Sequence, residues 1–448
     1  MLFDFASVDL KAKGELYHSV YEAVKKAVEC GALKKGERLP SIREASTQLG
    51  VSRTTVENAY TQLCIEGIAE SRPQIGYYII GKKTVPIIEE MAEKPKNTEI
   101  LYDFSSRKID TDYADTEVWK KLVRGVLLNS EELTSYGDPQ GEFGLRLALS
   151  SYSYKARGVI ANPQNIIIGA GMGPLLNILC GLLEKDITVG FENGGFSKAE
   201  NIFSDYGINH KNLPSDNSGA LIESMSEDEV DLLFLLPSAL SKISITALAK
   251  RRNEILNWAK AKENRLIVED DYNGELRYTA RSVPAFQGKA TDKTVYIGSF
   301  SKLLLPSVRI AYMVLPDFLV EKFNNRANGY NQTCSKTDQL ALKEYILKGA
   351  LEKHLKKLRR LYYSKSQLLY SELKNALKEK CGFILYESSL TLELITDLNI
   401  SSKEICRMAE KNGIKLIETK EKGRVRFCFA GIKAEQIPDA VKKFKEIF

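Results

Sequence analysis

The sequence predicts two folded units of different class, a small helical unit closed by a β-hairpin and a large open α/β unit. Three observations lead there. At 448 residues the chain is long for a single domain. Its first 80 residues carry three helix-period apolar stripes, followed by two strand-like runs around a Pro-Gln-Ile-Gly turn. From Leu101 onward, short aliphatic runs alternate with longer amphipathic stretches, the pattern of strands covered by helices.

The first helix is expected over residues 15–30, with Leu16, Val20, Ala23, Val24, Ala27 and Val28 on one stripe and Gly31 as its stop. The second starts at Ser41, whose hydroxyl can cap free amides, with Glu44 three residues on as capping-box partner; Gly50 ends it. The third starts at the N-cap Ser52, turns Val56, Ala59, Tyr60 and Leu63 inward, holds Arg53, Thr54 and Thr55 in its first turn and stops at Gly67. Residues 68–80 then read as strand, turn and strand. Three helices with a short turn between the second and third, plus a hairpin, describe a winged helix-turn-helix.

Bulk charge does not announce what this unit does. Residues 1–80 hold ten basic and ten acidic side chains, although the whole chain carries a net +6. Any DNA contact must therefore come from the placement of bases on one face. Part of the surplus lies in residues 353–360, where Leu351, Leu355, Leu358 and Leu361 recur at helical spacing, so those bases are expected on the solvated face of an amphipathic helix.

The strings Leu39-Pro-Ser-Ile-Arg-Glu-Ala45 and Leu49-Gly-Val-Ser-Arg-Thr-Thr-Val56, with Ala59 and Tyr60, resemble the DNA-binding domain of the GntR family of bacterial transcription regulators. The resemblance implies that Arg43, Ser52, Arg53, Thr54 and Thr55 meet phosphates and base edges of double-stranded promoter DNA in the major groove. It also implies that the wing from Gln74 to Gly76 reaches the minor groove. The residue types suit such contacts, since a helix N-terminus attracts phosphate and arginine can grip guanine with two donors.

Residues 81–100 hold four Lys, four Glu and two Pro with little periodicity and are expected to be a linker between unit 1–80 and unit 101–448. In the second unit, strands are expected at 166–168, 187–189, 232–236, 266–268 and 295–297, in a mostly parallel sheet. Lys302 follows the last of these in Gly298-Ser-Phe-Ser-Lys-Leu-Leu-Leu-Pro-Ser-Val-Arg309. An amine, two hydroxyls (Ser299 and Ser301) and a guanidinium at one strand end suit pyridoxal 5'-phosphate, the amine for its aldehyde and the others for its phosphate. Some thirty residues earlier, Val268-Glu-Asp-Asp-Tyr272 offers a carboxylate for the pyridine nitrogen and a phenol for the ring oxygen.

These segments resemble the fold-type I aminotransferases, and such a domain behind a GntR-type winged helix resembles the MocR subfamily of regulators. The resemblance implies Lys302 as the catalytic and Schiff-base lysine, Asp270 as partner of the pyridine nitrogen and Tyr272 as donor to the ring hydroxyl. Arg309, Ser299 and Ser301 would hold the phosphate, helped by the turn Gly171-Met-Gly-Pro174 through Met172 and Gly173. Phe196 falls where the family places an aromatic over the cofactor ring, and Arg426 where it holds an effector carboxylate. Tyr136-Gly-Asp-Pro-Gln-Gly141 matches a further family stretch. A homodimer is implied as well.

One stretch departs from the family. Leu236-Pro-Ser-Ala-Leu-Ser-Lys-Ile-Ser244 lacks the His, Gln, Pro and Gly usual there, and Gly194 replaces a usual Pro. The pocket therefore either binds the cofactor and turns over poorly, leaving at most weak transamination, or is retuned to an unusual effector. The expectation is a transcription regulator that senses an amine, an amino acid or pyridoxal phosphate itself. The alternatives are an aminotransferase with residual turnover and a DNA-binding protein with a cofactor-free dimerisation scaffold.

Other classes are excluded. The longest apolar run, from Gly173 to Leu183, is interrupted by Asn177 and falls short of the roughly 20 residues a bilayer span needs, so no membrane partner is expected. With Asp4 and Asp9 in place of a basic, apolar leader, a cytoplasmic location is expected. Seven scattered cysteines without a C-x-x-C pair suggest neither disulfides nor a metal site, and three histidines outside any nucleophile motif argue against triad hydrolysis.

Overall fold

A computed structural model describes residues 16–81, 100–105, 108–192, 197–216, 219–224, 229–237, 245–278, 283–378, 381–386, 389–397 and 399–447. Phe196, residues 238–244 of the departing stretch 236–244 and most of the expected linker lie outside these residues. The chain divides into two compact units, residues 1–96 and 97–448.

In the first unit, helices α1 (Leu16–Glu29), α2 (Ile42–Leu49) and α3 (Arg53–Ile65) precede the antiparallel strands β1 (Ala69–Arg72) and β2 (Gly76–Ile79). The starts follow from local chemistry. Ser41 closes a complete capping box with Glu44, and the Ser52 hydroxyl accepts from the Thr55 amide. Gly50 ends α2 at a φ of +65°, a conformation that costs a side-chain-bearing residue about 1 kcal/mol. Val20, Val24, Val56, Tyr60 and Leu63 are fully buried together, each contributing roughly 1.5–3 kcal/mol relative to exposure. The Tyr60 hydroxyl donates to the carbonyl of Pro40 at 3.0 Å and so fixes α3 against the entry to α2.

The second unit is built on a seven-stranded sheet. Its strands are β3 (Ile166–Gly169), β4 (Thr188–Glu192), β5 (Asn209–Leu213), β6 (Leu232–Leu235), β7 (Leu266–Asp270), β8 (Thr294–Ser299) and β9 (Ala311–Val314). They lie in the order β3-β9-β8-β7-β6-β4-β5, and β9 alone runs against the rest. The strands β3 and β6, and β7 as far as Val268, are apolar on both faces because both faces are covered: Ile166 and Ile168 pack to one side and Ile167 to the other. The helix Ala350–Leu377 buries Leu351, Leu355, Leu358 and Leu361 and exposes Lys353, Lys356, Lys357 and Arg360, as its spacing predicts.

A second sheet was not foreseen. Strands β10 (Cys381–Tyr386), β11 (Thr391–Thr396), β12 (Ile417–Glu418) and β13 (Arg424–Cys428) form an antiparallel sheet in the order β10-β11-β13-β12. Val425 and Phe427 face the core while Arg424 and Arg426 stay half-exposed, so β13 alternates charge and apolar residues instead of showing an aliphatic run.

Candidate functional site

In an open α/β sheet the carboxyl ends of parallel strands share one edge, and ligands bind there because helix N-termini and loops converge on it. Ser299 of β8, Ala311 of β9 and Gly169 of β3 lie side by side at this edge, and Asp270 ends β7 next to β8. The topology thus gathers Lys302, Asp270, Arg309 and the Gly171 turn from segments up to 138 residues apart.

The Lys302 side chain is buried, and its Nζ donates to the carbonyl of Lys108 at 3.3 Å. That carbonyl belongs to a fixed segment: Asp110, two residues on, accepts from the buried Lys365 of the long helix, which also donates to the carbonyl of Ile432.

Adjacent carboxylates have opposite environments. Asp271 is paired with the buried Arg157 and accepts from the Tyr296 hydroxyl at 3.0 Å. Asp270 is equally buried, but its Oδ2 has no hydrogen-bond partner among the described residues. Burial, and secondarily the charge of Asp271, pushes the Asp270 carboxyl up to about 7. A cation placed against Oδ2 would restore its ionised form. Tyr272 follows, half-buried, on the same loop.

The third feature is a cup for an anion. Gly171 precedes the helix Met172–Leu182 at a φ of +94° and provides no side-chain cap, which leaves the amides of Met172 and Gly173 directed outward from the helix start. Beside it stands Arg309, held at a φ of +54° that few non-glycine residues adopt. A Cβ on Gly171 would sit 2.5 Å from an Arg309 Nη2, so only glycine admits the guanidinium there. Arg309 Nη1 also reaches Ser301 Oγ at 3.4 Å, and Ser299 Oγ donates to Ser301 Oγ at 3.2 Å. Positive charge, hydroxyls and a helix N-terminus therefore converge on one spot.

Arg426 lies on β13 and is not empty-handed. Its Nε is paired at 2.5 Å with Glu393 Oε2 across the β11–β13 register, and its guanidinium stacks on Tyr386 at 4.8 Å. Arg424 shares the same buried carboxylate at 3.2 Å. Nothing in the sequence around Glu393 signalled this partner.

In the first unit Arg43, Ser52, Arg53 and Thr54 are exposed on α2 and at the start of α3. Thr55 is half-buried and its hydroxyl lies 2.8 Å from that of Ser52, so it helps hold the cap. Gln74 and Gly76 both adopt positive φ at the hairpin tip, and Arg38, which no motif singled out, packs beneath Gly76.

Comparison with known proteins matches both units. The family described as aminotransferase class I and II covers residues 101–444, and the bacterial regulatory proteins of the gntR family cover residues 16–79. The HTH-type transcriptional regulator YdeL of Bacillus subtilis (strain 168) is 34% identical, with 96% of each chain covered. The chain belongs to the MocR-type GntR regulators. Among other relatives of this regulator, the probable rhizopine catabolism regulatory protein MocR of Rhizobium meliloti is 29% identical over 81% of this chain and 78% of its own. The HTH-type pyridoxine biosynthesis transcriptional regulator PdxR of Corynebacterium glutamicum is 28% identical over 79% and 77%. The fold of the large unit matches the kynurenine aminotransferase of Pyrococcus horikoshii at a TM-score of 0.67, with 20% identity over 78% of this chain and 91% of that one.

Aminotransferases of class I and II are pyridoxal-phosphate-dependent proteins. The residues present fit this cofactor. The orphaned Asp270 Oδ2 suits a protonated ring nitrogen, and the Gly171–Arg309 cradle, which a Cβ would fill, suits a phosphate. No helix among the described residues is long and apolar enough to cross a membrane.

Proposed function

We propose that this regulator holds pyridoxal phosphate through Lys302 and changes its affinity for promoter DNA when an amine, an amino acid or the cofactor itself occupies the site. The observation that carries the reading is the orphaned, buried Asp270 Oδ2 at the same sheet edge as the arginine–glycine anion cup. In this reading residues 1–80 are the DNA-binding domain, 81–100 the linker and 101–448 the effector domain, in a cytoplasmic protein.

When bound, pyridoxal phosphate supplies an aldehyde that captures amines and a ring that withdraws electrons from them. The chain's own groups do the rest. Lys302 offers its amine to the aldehyde. Asp270, ionised by its partner, keeps the ring nitrogen protonated. Tyr272 donates to the ring hydroxyl, and the family resemblance alone assigns Phe196 to the ring. Arg309, Ser299, Ser301 and the amides of Met172 and Gly173 hold the phosphate, while Arg426 meets an effector carboxylate. The altered stretch 236–244 favours sensing, with at most weak transamination. A ligand moves DNA affinity only by binding one arrangement of the protein better than another.

A homodimer belongs to the same reading. The helices Phe143–Arg157 and Lys336–Leu347 border a groove of about 420 Å³ lined by Leu147, Ile346 and Leu347, and Phe143, Leu147, Tyr154 and Leu347 are all more than half exposed. A second copy of the chain would cover such a surface.

The test is the visible absorption of the purified protein with and without pyridoxal phosphate, repeated on Lys302→Ala. A band that requires Lys302, together with DNA binding that responds to an amine in the wild type and not in the variant, supports the reading. Absence of any lysine-dependent band leaves the large unit a scaffold.

A further inference from the structure

The DNA-reading face of α3 contains a carboxylate that the family resemblance did not assign. With Val56, Ala59, Tyr60 and Leu63 turned into the core, the exposed side of the helix carries Arg53, Thr54, Glu57, Asn58 and Thr61. Glu57 stands four residues after Arg53 and three after Thr54, so all three share one face of the helix. Several other acids of this unit are engaged. Glu44 accepts from the Ser41 amide, Glu66 from Tyr21 and Gln62, and Glu70 pairs with Arg72. Glu57 makes no hydrogen bond or ion pair among the described residues, not even with Arg53 one turn before it.

A free carboxylate on a helix that enters the major groove weakens binding to every sequence, because both phosphate strands repel it. It gains only where the groove presents an N–H donor. Guanine offers two acceptors, and thymine an acceptor and a methyl group. Adenine pairs its amino group with an acceptor nitrogen, which a carboxylate cannot satisfy. Cytosine presents its N4 amino group alone.

We propose that Glu57 reads a cytosine in each half-site of the operator, and that it acts by excluding the other bases as much as by binding this one. The proposal rests on α3 being the groove-reading helix of the GntR-type domain. It goes beyond the effector reading, which it does not need.

The test is selection of bound sequences from a random duplex pool by the full-length wild type, by Glu57→Gln and by Glu57→Ala, with melting curves to establish that the variants stay folded. The wild type should select one cytosine per half-site by about tenfold or more, the range that one good base contact provides. Glu57→Gln should change that position towards adenine, whose amino group and ring nitrogen an amide can pair together. Glu57→Ala should lose the preference there and bind arbitrary DNA more tightly at low salt. If both folded variants select the wild-type base at every position, Glu57 reads nothing and the proposal is overturned. If the wild type selects no sequence at all, the groove-reading assignment of α3 falls first.

Discussion

At the scale of single residues, the contrast between Asp270 and Asp271 carries the most consequence. Asp271 has its countercharge in Arg157, whereas Asp270 waits for one. Its carboxyl is raised from 3.8 to about 7, so the folded, cofactor-free protein binds a proton there that the unfolded chain has already released. The penalty is absent below about pH 4, grows as the pH rises and is complete above about pH 7. Glu269 and Glu275, also raised to about 7 by burial, act in the same direction. The cofactor-free protein should therefore melt at a lower temperature at pH 8 than at pH 5.5, and Asp270→Asn should reduce that difference. Scanning calorimetry of both proteins at the two pH values checks this. The same substitution should weaken pyridoxal phosphate about tenfold or more in an absorbance titration, since a hydrogen bond to a charged partner is lost. Gly171→Ala places a methyl group against Arg309 in a backbone conformation that disfavours it. Cofactor affinity should fall by a comparable factor; an unchanged titration would mean that the cup is not the phosphate site.

Elements were legible in proportion to how local their causes are. The caps at Ser41 and Ser52 and the glycine stop at Gly50 are written within a few residues, and α2 and α3 start and end where those residues dictate. Aliphatic runs marked β3, β6, β7 and β8 because a strand covered on both faces has no polar side to confuse the pattern. The edge strand β5, Asn-His-Lys-Asn-Leu, has one covered flank and reads as a loop. The second sheet escaped because its register depends on contacts between distant segments. For the same reason Glu393 was invisible as the partner of Arg426: their meeting is a matter of cross-strand pairing 33 residues apart. Lys302, Asp270 and Arg309 were legible as chemistry at strand ends, whereas which of two neighbouring aspartates lacked a partner was not. One prediction belongs at this scale. Ser52→Ala removes the cap of α3 and should cost about 1 kcal/mol of stability in the small unit. Operator affinity should fall with it, measurable by urea titration and by DNA mobility shift.

For the whole molecule, the exposed apolar side chains on the helices Phe143–Arg157 and Lys336–Leu347 set the expectation. Leu147→Glu should shift sedimentation equilibrium from dimer towards monomer, and if the association places two winged helices on paired half-sites, it should also weaken binding to a two-site operator more than to a single half-site. An unchanged molar mass would place the dimer contact elsewhere. The hydrogen bond from Lys302 to the Lys108 carbonyl matters here too. Because the carbonyl is pegged through Asp110 and Lys365 to a 28-residue helix, the lysine has a berth of its own when nothing else holds it. In the proposed reading, loading the cofactor is then an exchange of one bonded state for another, and a sensor built this way would report scarcity of pyridoxal phosphate as readily as its presence.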